Sequence, residues 1–233
     1  MTTEPNASLL PTGQTLDLHG KPLRIAQIIG SGATSEVYLG TLGDGADARK
    51  VVIKAMKPLE FAGALSYFIG EAETLPQLPE LEKQHNGNRG LPPDYHVAPT
   101  FFGRDRYRGG SGKSVEYLVM AFIEGRQVPE LLAEARDGRL PEAQALTLGL
   151  QLFHTLDLLH TYLKKSYIDL KFENLWWEEL PGGGGRLRMT DFGTLEDITP
   201  GNDRGVPRDL VVAATYLCKM LTGTMPSHIA GEL

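Results

Sequence analysis

Tyr167-Ile168-Asp169-Leu170-Lys171-Phe172-Glu173-Asn174, followed by Thr190-Asp191-Phe192-Gly193, is the stretch that decides the fold and chemistry of this chain. Two carboxylates, an ammonium and a carboxamide stand there in a fixed order. One carboxylate can orient a hydroxyl or accept its proton, and the ammonium neutralises phosphate charge. Asn174 and Asp191 offer hard oxygen ligands to magnesium. A D-L-K-x-E-N run and a D-F-G joined by a short hairpin therefore point to phosphoryl transfer. The hairpin is legible too: Gly182 to Gly185 lie between Trp177 and Leu187, which suits a tight tip between short strands.

Upstream, Pro141 opens a long amphipathic helix through Leu163, with Leu146, Leu150, Phe153, Leu156, Leu159 and Leu163 as its apolar stripe. Downstream, an apolar helix is expected from Asp209 to about Leu221. The first half reads differently. Strand-like runs Leu23 to Ile29 and Glu36 to Leu39 flank a glycine turn, and Val51 to Lys54 is a short β-branched run. From Phe61 to Leu78, apolar residues recur at helical spacing. Glu80 to Tyr95, with Asn86-Gly87-Asn88 and Pro92-Pro93, reads as a loop. Val97 to Phe102 and Val115 to Phe122 read as strands. Gly109-Gly110-Ser111-Gly112-Lys113-Ser114 is a P-loop decoy. Tyr107 stands where its first glycine belongs, and it lies between strands instead of opening a helix. The whole predicts an α+β chain of two lobes. Its expected parts are a flexible leader over residues 1–14, a sheet lobe with one main helix over 15–124, and a helical lobe over 125–233.

The chain has 233 residues, enough to bury a real core in one domain or two small lobes. A net charge of −6 argues against nucleic acid and acidic membranes as partners. Cys218 is the only cysteine, which excludes an intrachain disulfide and a cysteine metal site and fits a reducing compartment. No apolar run spans a bilayer, and Met1 to Gln14 lacks a signal-peptide core. A cytoplasmic protein with no membrane segment in this chain is expected.

Taken together, these motifs resemble the protein kinases. The form G-x-G-x-x-S-E-V at Gly30 to Val37 is similar to the eukaryotic-like Ser/Thr kinases of bacteria. The resemblance implies a two-lobed kinase-like fold, with an antiparallel-sheet N-lobe, a helical and truncated C-lobe, and ATP and Mg2+ as cofactors. It makes Asp169 the catalytic base, Lys171 the lysine on the transferred phosphate, and Asn174 and Asp191 the magnesium ligands. Lys54, closing V-V-I-K, would hold the α- and β-phosphates, partnered by Glu71, with Glu73 the rival on the same helix. Gly30, Gly32 and Ser35 would form the phosphate-covering turn. Met120 would be the gatekeeper, and the backbones of Ala121 and Ile123 would hydrogen-bond adenine. Ile29, Val37, Val52 and Trp176 would sandwich the ring. Lysine two residues after the base resembles Ser/Thr kinases more than tyrosine kinases.

The departures matter as well. Tyr167-Ile168 replaces the usual His-Arg, so no arginine waits there for an activation-loop phosphate, and switching by loop phosphorylation is not expected. Asp209, in R-D-L-V-V-A-A-T-Y-L, resembles the family's buried helix Asp, and L-T-G-x-x-P follows at Leu221 to Pro226. Thr194 to Arg208 is too short for the usual peptide platform, and A-P-E is absent. The last helices of an ordinary C-lobe are also missing, so further domains or a partner are expected to complete it. The expected function is a Mg-ATP-dependent Ser/Thr kinase acting on a protein substrate or on itself. The alternatives are a minimal phosphotransferase or ATPase with a non-peptide acceptor, and a nucleotide-binding pseudokinase scaffold.

Overall fold

The computed structural model describes residues 8–58, 62–90, 95–109, 114–201 and 203–226. Phe61, Pro92-Pro93, the glycine-rich centre of the P-loop decoy and the first seven residues of the expected leader lie outside the described residues. The fold is α+β, and the chain divides into two compact units. One comprises residues up to Glu73 with Thr100–Phe122; the other comprises Thr74–Pro99 with Ile123 onward.

The first unit is built on six strands: β1 (Thr15–Leu18), β2 (Lys21–Ser31), β3 (Ser35–Leu42), β4 (Arg49–Met56), β5 (Phe101–Arg108) and β6 (Ser114–Ala121). Helix α1 (Ala62–Thr74) falls between β4 and β5. All pairings are antiparallel, in the order β1-β2-β3-β4-β6-β5. Strand alternation sorts the side chains. Val51, Ile53 and Ala55 of β4 join Tyr38, Tyr117 and Val119 in the core, while Val52 and Lys54 face the other way. Residues 8–14 are not a loose leader. Leu10 is fully buried in that core; its N–H donates to the Tyr38 hydroxyl at 3.0 Å, and the Leu9 N–H donates to the Glu36 carboxylate at 3.0 Å. Burying one leucine contributes about 1.5–3 kcal/mol, enough to hold a short strap.

The second unit contains α2 (Leu78–Arg89), β7 (Arg126–Gln127), α3 (Val128–Glu134), α4 (Glu142–Leu158), β8 (Lys165–Tyr167), β9 (Leu175–Glu179), β10 (Gly185–Met189), β11 (Leu195–Asp197) and α5 (Gly205–Thr222). Strands β10, β9 and β7 form one small sheet, and β11 pairs with β8. The glycine hairpin joins β9 to β10 as expected. Gly185 must be glycine, because a Cβ there would lie 2.4 Å from the Trp177 ring. Helix α4 stops short of the expected Leu163: Leu159–Leu163 continues as a π-turn, a wider winding that ends at Lys164 in the left-handed region.

Two further expectations do not hold. Glu80 to Tyr95 is not a plain loop, because most of it is α2. Asn86-Gly87-Asn88 is poor helix-forming sequence, so tertiary contacts supply what propensity lacks. Asn86 Nδ2 donates to the Tyr95 carbonyl at 2.8 Å, Asn88 Nδ2 to the Tyr162 hydroxyl at 2.8 Å, and Arg89 pairs with Asp157 at 2.5 Å. Left-handed Gly90 caps the end. The strand expected from Val97 begins only at Phe101. Upstream, the N–H groups of Val97 and Ala98 are taken by the buried Glu82 carboxylate, at 2.8 and 3.3 Å, and the Val97 carbonyl by Met189 N–H. The six-stranded sheet therefore cannot use them. No helix among the described residues is long and apolar enough to cross a membrane.

Candidate active site

In the first unit the register gathers one predicted set on one sheet face. Val37 lies opposite Lys54, and Lys54 opposite Leu118; Val52 lies opposite Met120. Direct cross-strand neighbours share a face, so Val37, Val52, Lys54 and Met120 stand together on the side away from the core. Ile29 is the extra residue of a β-bulge, because Ile28 pairs with Tyr38 and Gly30 with Val37; Ile29 is 45% exposed. Lys54 Nζ lies 2.7 Å from Glu71 Oε2, and the Glu71 side chain is only 3% exposed. Glu73 is exposed on the same helix.

The glycine turn closes through the Gly32 N–H donating to the Ser35 carbonyl at 2.9 Å, and Ser35 is buried. Neither Gly30 nor Gly32 has left-handed backbone, and a Cβ at either would meet nothing closer than 3.6 Å. The backbone does not demand glycine there. What glycine supplies is an uncovered main chain, as a phosphate approach requires. The Ala121 N–H is committed to the Thr100 carbonyl at 2.8 Å, so of its two backbone groups only the carbonyl is left for the expected adenine contact.

The second unit assembles the other set, with Ile123 and Trp176 also belonging to it. Trp176 on β9 stands opposite Arg188 and Gln127, and its indole Nε1 is buried without a hydrogen-bond partner among the described residues. Asp169 and Lys171 form an ion pair at 2.6 Å, each side chain nearly half exposed. Asn174 is 3% exposed, and its Nδ2 donates to the Asp169 carbonyl at 3.1 Å and to the Tyr167 hydroxyl at 3.3 Å. Both amide hydrogens are thereby committed, which leaves Oδ1 as the atom that Asn174 can offer a cation. Asp191 adopts left-handed backbone at φ 64, which Asp tolerates better than most residues. The Tyr167 hydroxyl meets the Thr190 carbonyl and lies 3.2 Å from the Asp191 carbonyl, while its ring packs edge-on against buried Phe192.

This segment is anchored from α5. Asp209, 1% exposed, accepts the Tyr167 N–H at 2.8 Å and pairs with His160 Nε2 at 2.7 Å. His160 is thus a satisfied interior side chain brought round by the π-turn. Electrostatics favour the charged lysine. The hydrogen bond to Asp169 raises the Lys171 ammonium above its ordinary value, with Asp191 and Glu173 adding to it and partial burial opposing.

Three contributors have no motif. Lys57 Nζ donates to Ser31 Oγ at 2.9 Å and to the Gly32 carbonyl at 2.6 Å, tying down the glycine turn. Gln127 Nε2 donates to the Glu173 carbonyl at 2.8 Å, and the Tyr216 hydroxyl to the Leu170 carbonyl at 3.0 Å. Only Tyr216 carried a signal: it lies seven residues after Asp209, on the same face of one helix.

No protein-family model matches the chain. Curated proteins do. The serine/threonine-protein kinase PknA of Corynebacterium glutamicum is 30% identical over 180 residues, covering 76% of this chain and 33% of the relative. The serine/threonine-protein kinase drp72 of Corynebacterium efficiens is 29% identical over 76% of this chain and 30% of its own length. A serine/threonine-protein kinase stk11 homolog of Dictyostelium discoideum is 25% identical over 77% of this chain and 27% of that protein. The chain spans about a third of the length of the curated relatives it matches.

Proposed function

We propose that this chain, which is a protein kinase domain, moves the γ-phosphate of ATP to serine or threonine hydroxyls with magnesium on the nucleotide. One observation carries the reading: an exposed Asp169–Lys171 pair beside an Asn174 whose oxygen is the atom left for a cation. Asp169 orients the acceptor hydroxyl and takes its proton, and Lys171 offsets charge on the phosphoryl group in transfer. Asn174 and Asp191 supply hard oxygen donors. Among the described residues no group of three or more His, Cys, Asp or Glu is gathered as a cage. Such a sparse donor set suits magnesium, which draws its remaining ligands from water and phosphate. When bound, magnesium held by Asn174 and Asp191 would supply positive charge that offsets that of the phosphates.

Lys54, held by Glu71, takes the α- and β-phosphates, and the turn from Gly30 to Ser35 covers them with backbone amides. In the first unit Ile29, Val37, Val52 and Met120 flank the adenine, which the backbone of Ala121 binds. The single cysteine fits a cytoplasmic setting.

A second reading concerns the acceptor. Only Ile198 to Arg204 separate β11 from α5, and Gly205 lies so close to Ser166 that a Cβ would fall 2.2 Å from its Oγ. That closeness favours self-phosphorylation or a compact acceptor over an extended peptide. Radiolabelled ATP with the protein alone, then with casein, tests both. Labelled protein or casein supports the kinase reading, and phosphate release without protein labelling points to a non-peptide acceptor or water. Nucleotide binding without turnover would leave a pseudokinase.

A further inference from the structure

Tyr216 makes two contacts that the proposed function leaves without a task. It sits on α5 seven residues beyond Asp209, two turns along the same helix face. Asp209 holds the segment at the Tyr167 N–H, and Tyr216 holds it again at the Leu170 carbonyl, at 3.0 Å. The Tyr216 ring also stacks on Phe172, with centroids 3.9 Å apart and planes 20° from parallel. Leu170 and Phe172 are the two chain neighbours of Lys171, whose ammonium pairs with Asp169. One side chain therefore holds both chain neighbours of Lys171, Leu170 by its carbonyl and Phe172 by its ring.

The grip is specific to these residues. Packing alone would be served by any large apolar side chain, but a buried phenol needs a partner for its hydroxyl. Tyr216 is 8% exposed, and the Leu170 carbonyl is that partner. Burial, with Glu173 and Asp169 nearby, pushes the phenol up to about 12, so it remains a donor at neutral pH. Asn174 and Gln127 fix the carbonyls of Asp169 and Glu173 on either side. Within the stretch between those two points the Lys171 carbonyl takes the Asn174 N–H at 3.1 Å and the Phe172 carbonyl takes the Leu175 N–H, and Tyr216 adds the tie at the Leu170 carbonyl.

We propose that Tyr216 is a positioning residue for phosphoryl transfer, clamping Leu170 through a hydrogen bond and Phe172 through a stack so that Asp169 and Lys171 hold their places. The inference rests on the kinase reading above, and its two contacts are separable by mutation. Tyr216→Phe removes only the hydrogen bond, Phe172→Leu only the stack, and Tyr216→Leu both.

The test uses the full chain and two readouts. Hydrogen–deuterium exchange of a peptide covering residues 168–175 needs no turnover. In Tyr216→Leu its exchange should quicken by about tenfold or more while peptides from α4 stay unchanged. Steady-state kinetics should show kcat falling by roughly 10- to 100-fold, with KM for ATP within about twofold, because misplacing a catalytic group costs rate and not ground-state binding. Tyr216→Phe and Phe172→Leu should each give a smaller loss. Adding Phe172→Leu to Tyr216→Leu should cost little more, as expected for residues acting through one contact. Unchanged exchange and kcat in a folded Tyr216→Leu overturn the clamp. If that variant does not fold, wild-type behaviour of both Tyr216→Phe and Phe172→Leu overturns it equally. A wild type with no phosphotransfer sinks the kinase reading alone, and the exchange data still decide whether the clamp exists.

Discussion

The glycine turn and the segment from Tyr167 to Asn174 are both short loops, yet they are held by opposite means. Ser31, Gly32 and Ala33 are exposed, and besides the hairpin's own bond the turn takes a backbone bond from the Lys57 N–H to the Thr34 carbonyl at 2.9 Å and solvent-facing contacts from the Lys57 ammonium. The segment at Asp169 is tied through buried groups: Asp209 at one end, Tyr216 in the middle, and Asn174 folded back onto it. The difference follows from what each is asked to do. Backbone amides covering a flexible triphosphate need an open main chain and tolerate movement. A carboxylate that must meet a hydroxyl within hydrogen-bond reach tolerates very little. On the proposed function, the buried ties fall where proton and phosphoryl group would be handled, and the exposed ones where the nucleotide would enter and leave.

The largest break in that contrast is Asp169→Ala. Turnover should fall on the order of 10³-fold, while calorimetry finds nucleotide affinity within about twofold of wild type. Retained activity would show that another group takes the proton. Next comes Asp209→Ala, which acts on the support and not on the chemistry. It strands the buried Tyr167 N–H and removes the partner of His160, so thermal or denaturant unfolding should register a loss of about 3 kcal/mol or more. A loss below about 1 kcal/mol would mean that the segment is not held from α5.

Lys57→Ala addresses the compliant side. Its contacts are exposed, so stability should change by less than about 1 kcal/mol. The expected effect is a rise of about two- to fivefold in KM for ATP with kcat unchanged, because only the cover over the phosphates is loosened. A fall in kcat instead would place the glycine turn among the stiff parts.

How much of this was legible in the sequence divides along the same line. Asp169, Lys171, Asn174 and Asp191 stood out as candidates because the proposed chemistry restricts residue type and spacing, and the structure brings Asp169, Lys171 and Asn174 into contact. The sequence pattern around Glu71 also favoured it over Glu73, and the structure supplies the reason, a buried carboxylate against Lys54. Tertiary supports were harder to see. Lys57 is one lysine among many until a carbonyl is found beneath it. Leu9-Leu10 is too short to show a period, and only burial against Tyr38 reveals that it belongs to the core. Helix α2 was hidden because its sequence argues against itself. Asn86-Gly87-Asn88 says loop, while Glu82 and Arg89 find the partners that make it a helix only once residues distant in sequence have folded beside them.

The smallest expected effect concerns pH. The hydrogen bond to Asp169 raises the Lys171 ammonium above its ordinary value, aided by Asp191 and Glu173. A lysine whose folded pKa is raised contributes stability that is fully present below its unfolded pKa and is lost as pH rises through the higher folded one. The pair should therefore remain intact throughout the range from neutral to about pH 10. If the stiff segment sets the rate, kcat should vary by less than about twofold between about pH 8 and about pH 10. In the same window Lys171→Ala should lower kcat by a roughly constant factor, because the charge it removes does not titrate there. An alkaline fall in wild-type kcat that Lys171→Ala abolishes would show that the ammonium loses its proton early, and that the pair is looser than its 2.6 Å separation implies.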